Sequence, residues 1–293
     1  MNDDLPAVCY FGRTDYRFFY FCRMISFPNA KINIGLYITG KRPDGFHDLE
    51  TVFFPIGWSD ALEFAYSSEI HFSTSGISIS GAADDNLVMK AYLLLKKDFD
   101  LPALKIHLHK QIPFGAGLGG GSADAAFMLR MLNQSFKLGL SGEQLQQYAA
   151  KLGSDCPFFI VNKPVFATGR GEIMTEINLN LKGLSLVLVK PSVEVSTASA
   201  FRNIVPQKPT ISLSELIQLP VSEWKDHIFN QFEISVFKQY PEIELVKQHL
   251  YDMGALYASM SGSGSCVFGL FVDPPANIQD EFPSKYLTFS QQI

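Results

Sequence analysis

Several things are scarce in this chain, and each scarcity narrows the reading. There are four cysteines, Cys9, Cys22, Cys156 and Cys266, with no CxxC pair and no metal-ligand spacing. That excludes a disulfide framework and a zinc module, and makes the cytoplasm the expected compartment. Basic residues are outnumbered: 24 Lys and Arg stand against 29 Asp and Glu, a net charge of −5. Neither a nucleic-acid nor a membrane-surface partner is expected from that balance. No apolar run reaches the length of a membrane span, and there is no internal repeat. What remains is 293 residues, 47% apolar and 18% charged. This is the composition of a globular protein with one large domain or two ordinary ones.

The first 23 residues differ from the rest. They crowd Tyr10, Phe11, Tyr16, Phe18, Phe19, Tyr20 and Phe21 between Arg13, Arg17 and Arg23, with no helical or strand period. Asp3 and Asp4 stand where a signal peptide carries positive charge. Met24 then opens a clean strand pattern. Residues 1–23 are therefore expected to be an extension, non-native or disordered, with Met24 as the natural start.

From Lys31 to Ile38 the chain alternates. Ile32, Ile34, Leu36 and Ile38 share one face, Lys31 and Asn33 the other, as in a half-buried strand. Arg42-Pro-Asp-Gly45 is turn chemistry. Further strands are expected to about residue 80, so the opening third reads as antiparallel β. Asp85 is expected to cap a helix running to about Lys97. Leu104, Ile106 and Leu108 alternate with Lys105, His107 and His109 in another half-exposed strand. Ser141-Gly-Glu-Gln144 is a capping box. A second unit is expected from Leu181, with helices near Phe232–Lys238 and Glu242–Asp252. The proline-broken end after Val272 leaves room for only a reduced last helix. The order β-rich, helical, then mixed points to an α+β protein of two domains, 24–180 and 181–293.

The densest signal is Pro113-Phe-Gly-Ala-Gly-Leu-Gly-Gly-Gly-Ser122, where five glycines fall between 115 and 121 just before a helical pattern. Glycines let a ligand approach the backbone, and a helix N-terminus offers free N–H groups and positive potential, which together suit a phosphate. Gly115, Gly117 and Gly120 also satisfy the dinucleotide fingerprint G-x-G-x-x-G. The context argues against that reading: the preceding strand alternates with Lys and His instead of being continuously apolar, and no acidic residue closes a second strand about 20 residues on. No Gly-Lys-Ser/Thr follows, so a Walker A loop is excluded. Phosphoryl transfer needs a phosphate cradle, a cation and a group to orient or deprotonate the attacking hydroxyl. The loop, Lys31 and Asp155 are candidates for the three.

Three stretches together carry a resemblance. Pro28-Asn-Ala-Lys-Ile-Asn33, Pro113 to Ala125 and Ser261-Gly-Ser-Gly-Ser-Cys-Val-Phe268 resemble the three motifs of the GHMP kinases. Lys41-Arg-Pro-Asp-Gly-Phe-His47 and Leu152-Gly-Ser-Asp-Cys-Pro-Phe158 resemble the branch acting on a cytidine-diphosphate-linked methylerythritol in the non-mevalonate pathway to isoprenoid precursors. Kinases for homoserine or mevalonate lack the Pro-Asp-Gly-Phe/Tyr-His box. A catalytically dead relative would be expected to lose Lys31 or Asp155, and both are present.

The resemblance implies an S5-like N-terminal domain and a ferredoxin-like C-terminal one. It implies ATP as phosphoryl donor and Mg²⁺ bridging its phosphates. Asp155 matches the catalytic base and Lys31 the lysine paired with it. Pro113, Gly115, Gly117, Leu118, Gly119, Gly120, Gly121 and Ser122 match the ATP-binding loop, with Ser122 also a metal contact. On the substrate side, Asn33 would help hold the acceptor. Phe46 and Phe201 would stack on the cytosine and His47 would bond its edge. Such stacking is worth about 1–3 kcal/mol per base. Substrate and ATP are the only partners implied; monomer and homodimer both stay open. A chain beginning at Met24 is expected to retain full activity and at least equal solubility, which expression and assay of that truncation would check; loss of folding would refute it.

Overall fold

The computed structural model describes residues 7–12, 19–79, 82–202 and 204–293. Contacts group the chain into two compact units, neither of them contiguous. The first holds Met1–Ala30, Trp58–Pro113 and Gly120–Val161; the second holds Lys31–Gly57, Phe114–Gly119 and Asn162–Ile293. The domains expected at 24–180 and 181–293 are contiguous stretches, so the chain's own grouping follows a different line.

In the first unit a five-stranded sheet runs in the order Ala7–Gly12, Phe19–Ser26, Ala61–Tyr66, Leu104–Lys110, His71–Gly76. Its pairs are antiparallel except the last, which is parallel. The strand expected to open at Met24 extends back to Phe19. Residues 1–6 and 13–18 of the expected extension lie outside the described residues. Helices Leu87–Asp98 and Gly142–Ala150 each bury one apolar stripe in the core they share with the sheet, and Gly120–Ser135 is buried around most of its circumference. Leu62, Phe64, Ile106 and Leu108 meet Val88, Tyr92, Leu95, Met128 and Leu132 in one core. Two helix starts test the cap readings. At Ser141 the capping box forms in full, Gln144 N–H donating to the Ser141 hydroxyl and Ser141 N–H to Gln144 Oε1. At the first helix the cap is Asn86, whose Oδ1 accepts from Val88 N–H at 2.9 Å. The expected cap, Asp85, instead closes a short 3₁₀ turn. Both residue types cap well, so a one-residue shift is not decided by propensity.

The second unit has two four-stranded sheets. One orders Asn29–Lys41, His47–Ser59, Val165–Thr168 and Ile173–Glu176. The other orders Tyr257–Met260, Val267–Phe271, Ser185–Lys190 and Leu287–Gln292, antiparallel throughout. Helices Glu233–Gln239 and Pro241–Asp252 fall where their apolar period predicts. Val187, Val189, Val267 and Phe271 pack with Val236, Ile243, Val246 and Leu250. After Val272 the only helical element among the described residues is the short 3₁₀ helix Ile278–Glu281, as a reduced last helix would be, and Leu287–Gln292 then forms a strand on the edge of the second sheet. The prolines at 274, 275 and 283 precede it and leave its N–H groups intact. Among the described residues no helix is long and apolar enough to cross a membrane.

One polar cluster lies within the first unit's interior. Lys110 Nζ bonds Asp60 Oδ2 and, at 2.9 Å, Asp124 Oδ2, and all three side chains are buried. Asp60 Oδ1 also accepts N–H groups from Gln111 and Ile112 at 2.6 and 2.8 Å. Asp124 Oδ1 finds no partner among the described residues. One ammonium thus faces two carboxylates, and the less satisfied one attracts a proton. Burial pushes the Asp124 carboxyl up to about 7, against a pull from Lys110. A folded-state pKa above the unfolded one stabilises the native state fully below the unfolded value, and this is lost as pH rises through the folded value. Denaturant midpoints should therefore fall between about pH 4 and about pH 7, and Asp124→Asn should flatten that slope in parallel titrations of both proteins.

Candidate active site

Lys31 and Asn33 lie on the strand Asn29–Lys41, which is buried from Ala30 to Ile38 on both faces rather than half exposed. Alternation identifies the polar face correctly, but in the second unit that face is covered by backbone. Lys31 Nζ donates to Asn33 Oδ1 at 2.5 Å and to the Gly117 carbonyl at 3.0 Å. Lys31 N–H donates to the Leu118 carbonyl at 3.0 Å. Asn33 Nδ2 donates to Thr51 Oγ1 (2.9 Å), whose hydroxyl passes on to the Gly35 carbonyl (2.7 Å). Asn33 therefore spends its side chain on orienting Lys31. Its expected contact with an acceptor is left to whatever capacity its carbonyl oxygen keeps.

The segment Phe114–Gly119 of the glycine loop belongs to the same unit. Gly115, Gly117 and Gly119 take φ of +57°, +71° and +70°. At Gly117 the requirement is absolute: a Cβ there would sit 1.8 Å from the Ser261 carbonyl oxygen. The Ser261 hydroxyl donates to the Gly117 carbonyl at 2.9 Å and accepts from Asn33 N–H at 3.2 Å. Ser265 and Cys266 N–H groups donate to the Gly115 and Ala116 carbonyls. The three stretches that carried the sequence resemblance thus meet around one carbonyl. The third is braced by Asn230, whose Nδ2 donates to the Met260 and Gly262 carbonyls at 2.7 Å each, and by Glu233, whose Oε1 accepts from Met260 N–H at 2.8 Å.

The remaining loop residues, Pro113 and Gly120 to Ser122, are in the first unit, as is Asp155. Gly120 begins the helix Gly120–Ser135. Asp155 sits in the turn before the helix Cys156–Val161 and accepts Phe158 N–H through its backbone carbonyl. Cys156 joins the two: its buried thiol hydrogen-bonds the Ser122 hydroxyl and lies beside the Asp155 carboxylate. Burial, opposed by the Ser122 bond and aided by the Asp155 charge, pushes that thiol up to about 11. Cys156 is thus a neutral spacer between the loop's exit and Asp155, a role that cysteine spacing alone does not signal.

In the second unit the rings expected on the substrate side fall in two places. The His47 ring lies flat against Phe201, centroids 4.8 Å apart and planes 22° apart, and the edge of the set is closed by Phe232 at 4.7 Å. Phe46 is 55% exposed and carries the Arg170 guanidinium 4.8 Å from its ring centroid. Arg170, Thr51, Asn230 and Glu233 were not anticipated. Each acts through a partner distant in sequence, and no local pattern marks it. Gly117→Ala should lower the melting temperature and abolish nucleotide turnover, whereas Gly121→Ala, whose Cβ would meet only Leu87 at 3.7 Å, should fold normally; thermal melts of both variants check this.

Models of two domains match the chain: GHMP kinases N terminal domain over residues 86–163, and GHMP kinases C terminal over 213–287. The first span contains both the glycine loop and Asp155. The chain is 60% identical over 252 residues to a 4-diphosphocytidyl-2-C-methyl-D-erythritol kinase of Bacteroides fragilis, covering 85% of this chain and 92% of that one. It is 58% identical over 252 residues to the like-named protein of Bacteroides thetaiotaomicron, with the same coverage. Among solved structures, a 4-(cytidine 5'-diphospho)-2C-methyl-D-erythritol kinase superposes with a TM-score of 0.77 at 28% identity, over 91% of this chain and 98% of that one. By its motifs, its two matched domains and these relatives, the chain belongs to the GHMP kinases, within the branch of the 4-diphosphocytidyl-2-C-methyl-D-erythritol kinases.

Proposed function

We propose that this chain transfers the γ-phosphoryl group of ATP to the 2-hydroxyl of 4-diphosphocytidyl-2-C-methyl-D-erythritol. ATP as donor follows from family membership. The observation that carries the reading is the Lys31 ammonium seated on the Gly117 carbonyl. It puts a fixed positive charge beside a loop whose glycines leave the backbone open to phosphate oxygens.

In this reading Asp155 takes the proton of the 2-hydroxyl or orients it. The hydroxyl oxygen bonds the γ-phosphorus, the bond to the β-bridging oxygen breaks, and ADP leaves with that electron pair. Lys31 stabilises charge on the attacking oxygen. Mg²⁺, when bound, neutralises charge on the phosphates. The donors present suit it: the Ser122 hydroxyl is a hard oxygen, and Mg²⁺ commonly takes one or two protein oxygens with phosphates and water filling the rest. No group of three or more His, Cys, Asp or Glu able to hold a metal occurs among the described residues, and a phosphate-held Mg²⁺ requires none.

The cytosine would use Phe46, Phe201 and His47. Since His47 already covers Phe201, a base stacking on that face must first displace the imidazole, which then becomes available to its edge. Purified protein with Mg·ATP is expected to release ADP with the cytidine-diphosphate substrate and not with homoserine or mevalonate. Asp155→Asn should abolish that turnover while nucleotide binding, followed by calorimetry, is retained. ADP release with homoserine or mevalonate in place of the cytidylyl substrate would overturn the reading.

A further inference from the structure

The buried cluster of Asp60, Lys110 and Asp124 stands at the two ends of the glycine loop. Lys110, Gln111 and Ile112 are the last residues before it, and Gly120 to Asp124 the first turn of the helix after it. Asp60 grips the approach: one oxygen accepts the Gln111 and Ile112 N–H groups, the other takes Lys110 Nζ. The same ammonium crosses to Asp124 on the exit helix at 2.9 Å. The two ends also touch directly. A Cβ at Gly120 would come within 2.9 Å of Lys110 Nζ and 2.8 Å of Ile112 Cγ2. The lysine therefore lies under the helix start with no slack.

Stability does not account for this arrangement. Buried ion pairs seldom outperform an apolar core of the same volume, because desolvation offsets the attraction. Here the balance is worse than usual, with two carboxylates for one ammonium and an Asp124 oxygen left without a partner among the described residues. What the cluster supplies, and leucines would not, is directional: hydrogen bonds that fix the separation and angle of two backbone segments.

We propose that Asp60, Lys110 and Asp124 are positioning residues for the nucleotide, holding the ends of the glycine loop so that its phosphate-facing geometry exists before ATP arrives. The proposal rests on the loop being the ATP site. Nucleotide binding then incurs no cost for ordering the loop, and that saving appears in ATP affinity rather than in the chemical step.

Asp124→Leu is the informative variant. It removes the tie on the exit side yet leaves Asp60 and Lys110 as a balanced pair, so its melting temperature should equal or exceed that of the parent. With that fold intact, the KM for ATP should rise on the order of ten- to a hundredfold, with kcat and the KM for the phosphoryl acceptor changing by less than about threefold. Asp124→Asn, which keeps an oxygen for Lys110, should restore the parental KM for ATP. Hydrogen exchange across residues 111–124 should quicken in Asp124→Leu and not in Asp124→Asn. An unaltered KM for ATP, or equal rises in both KM values, would overturn the proposal. The exchange measurement needs no substrate. If ATP proved not to be the donor, the ATP reading would fail, while unchanged exchange in Asp124→Leu would refute the tie itself.

Discussion

Everything at the candidate site depends on one contact that leaves no room for a side chain. The backbone at Gly117 lies so close to Ser261 that a Cβ would overlap the serine's carbonyl oxygen. That proximity lets the Gly117 carbonyl take two donors, Lys31 Nζ and the Ser261 hydroxyl, from segments 86 and 144 residues away in sequence. A carbonyl so engaged is turned toward those donors, and across a trans peptide the Leu118 N–H then points the opposite way. Glycine serves here for its missing Cβ at least as much as for its positive φ.

Two buried lysines share the task of shaping this loop, by different means. Lys31 bonds a side-chain amide and a backbone carbonyl. These bonds hold its ammonium in place beside the glycine loop, where a positive charge serves phosphate oxygens. Lys110 meets two carboxylates, and its charge is consumed locally. The first arrangement suits an electrostatic role and the second a mechanical one. A buried cation costs several kcal/mol to desolvate in either case, so both positions bear a cost that a purely packed core would avoid.

The sequence exposed the features that need a particular residue type at a particular spacing. Glycines at 115, 117 and 119 announced the loop because few other residues adopt those dihedrals. Ser141 and Gln144 announced a helix start because both halves of the bond pattern lie within four residues. Alternation put Lys31 and Asn33 on one face, but it says nothing about what covers that face, so a strand buried on both sides read as half exposed. Lys110 falls on the apolar side of its strand, in step with Leu104, Ile106 and Leu108, and the carboxylates that let a lysine be buried there, Asp60 and Asp124, lie 50 and 14 residues away. Arg170 and Asn230 left no local trace, since their partners are fixed only by the fold.

The aromatic pairs carry the argument one step further. Each ring expected to receive a base already has a planar or cationic neighbour: His47 lies on Phe201 and Arg170 on Phe46. Stacking a cytosine on either covered face then exchanges one contact for another, and the net gain falls below the value for a bare aromatic surface. On the proposed reading, selectivity comes from where the displaced groups then point. An imidazole stacked through its face keeps both ring nitrogens at its edge, and a guanidinium over Phe46 keeps the planar fork suited to phosphate oxygens. A ligand offering both a base edge and a diphosphate satisfies both released groups, whereas a bare base or a bare phosphate satisfies one and strands the other. Such a site discriminates through the polar groups it would leave unpaired, a stronger discriminator than stacking area alone.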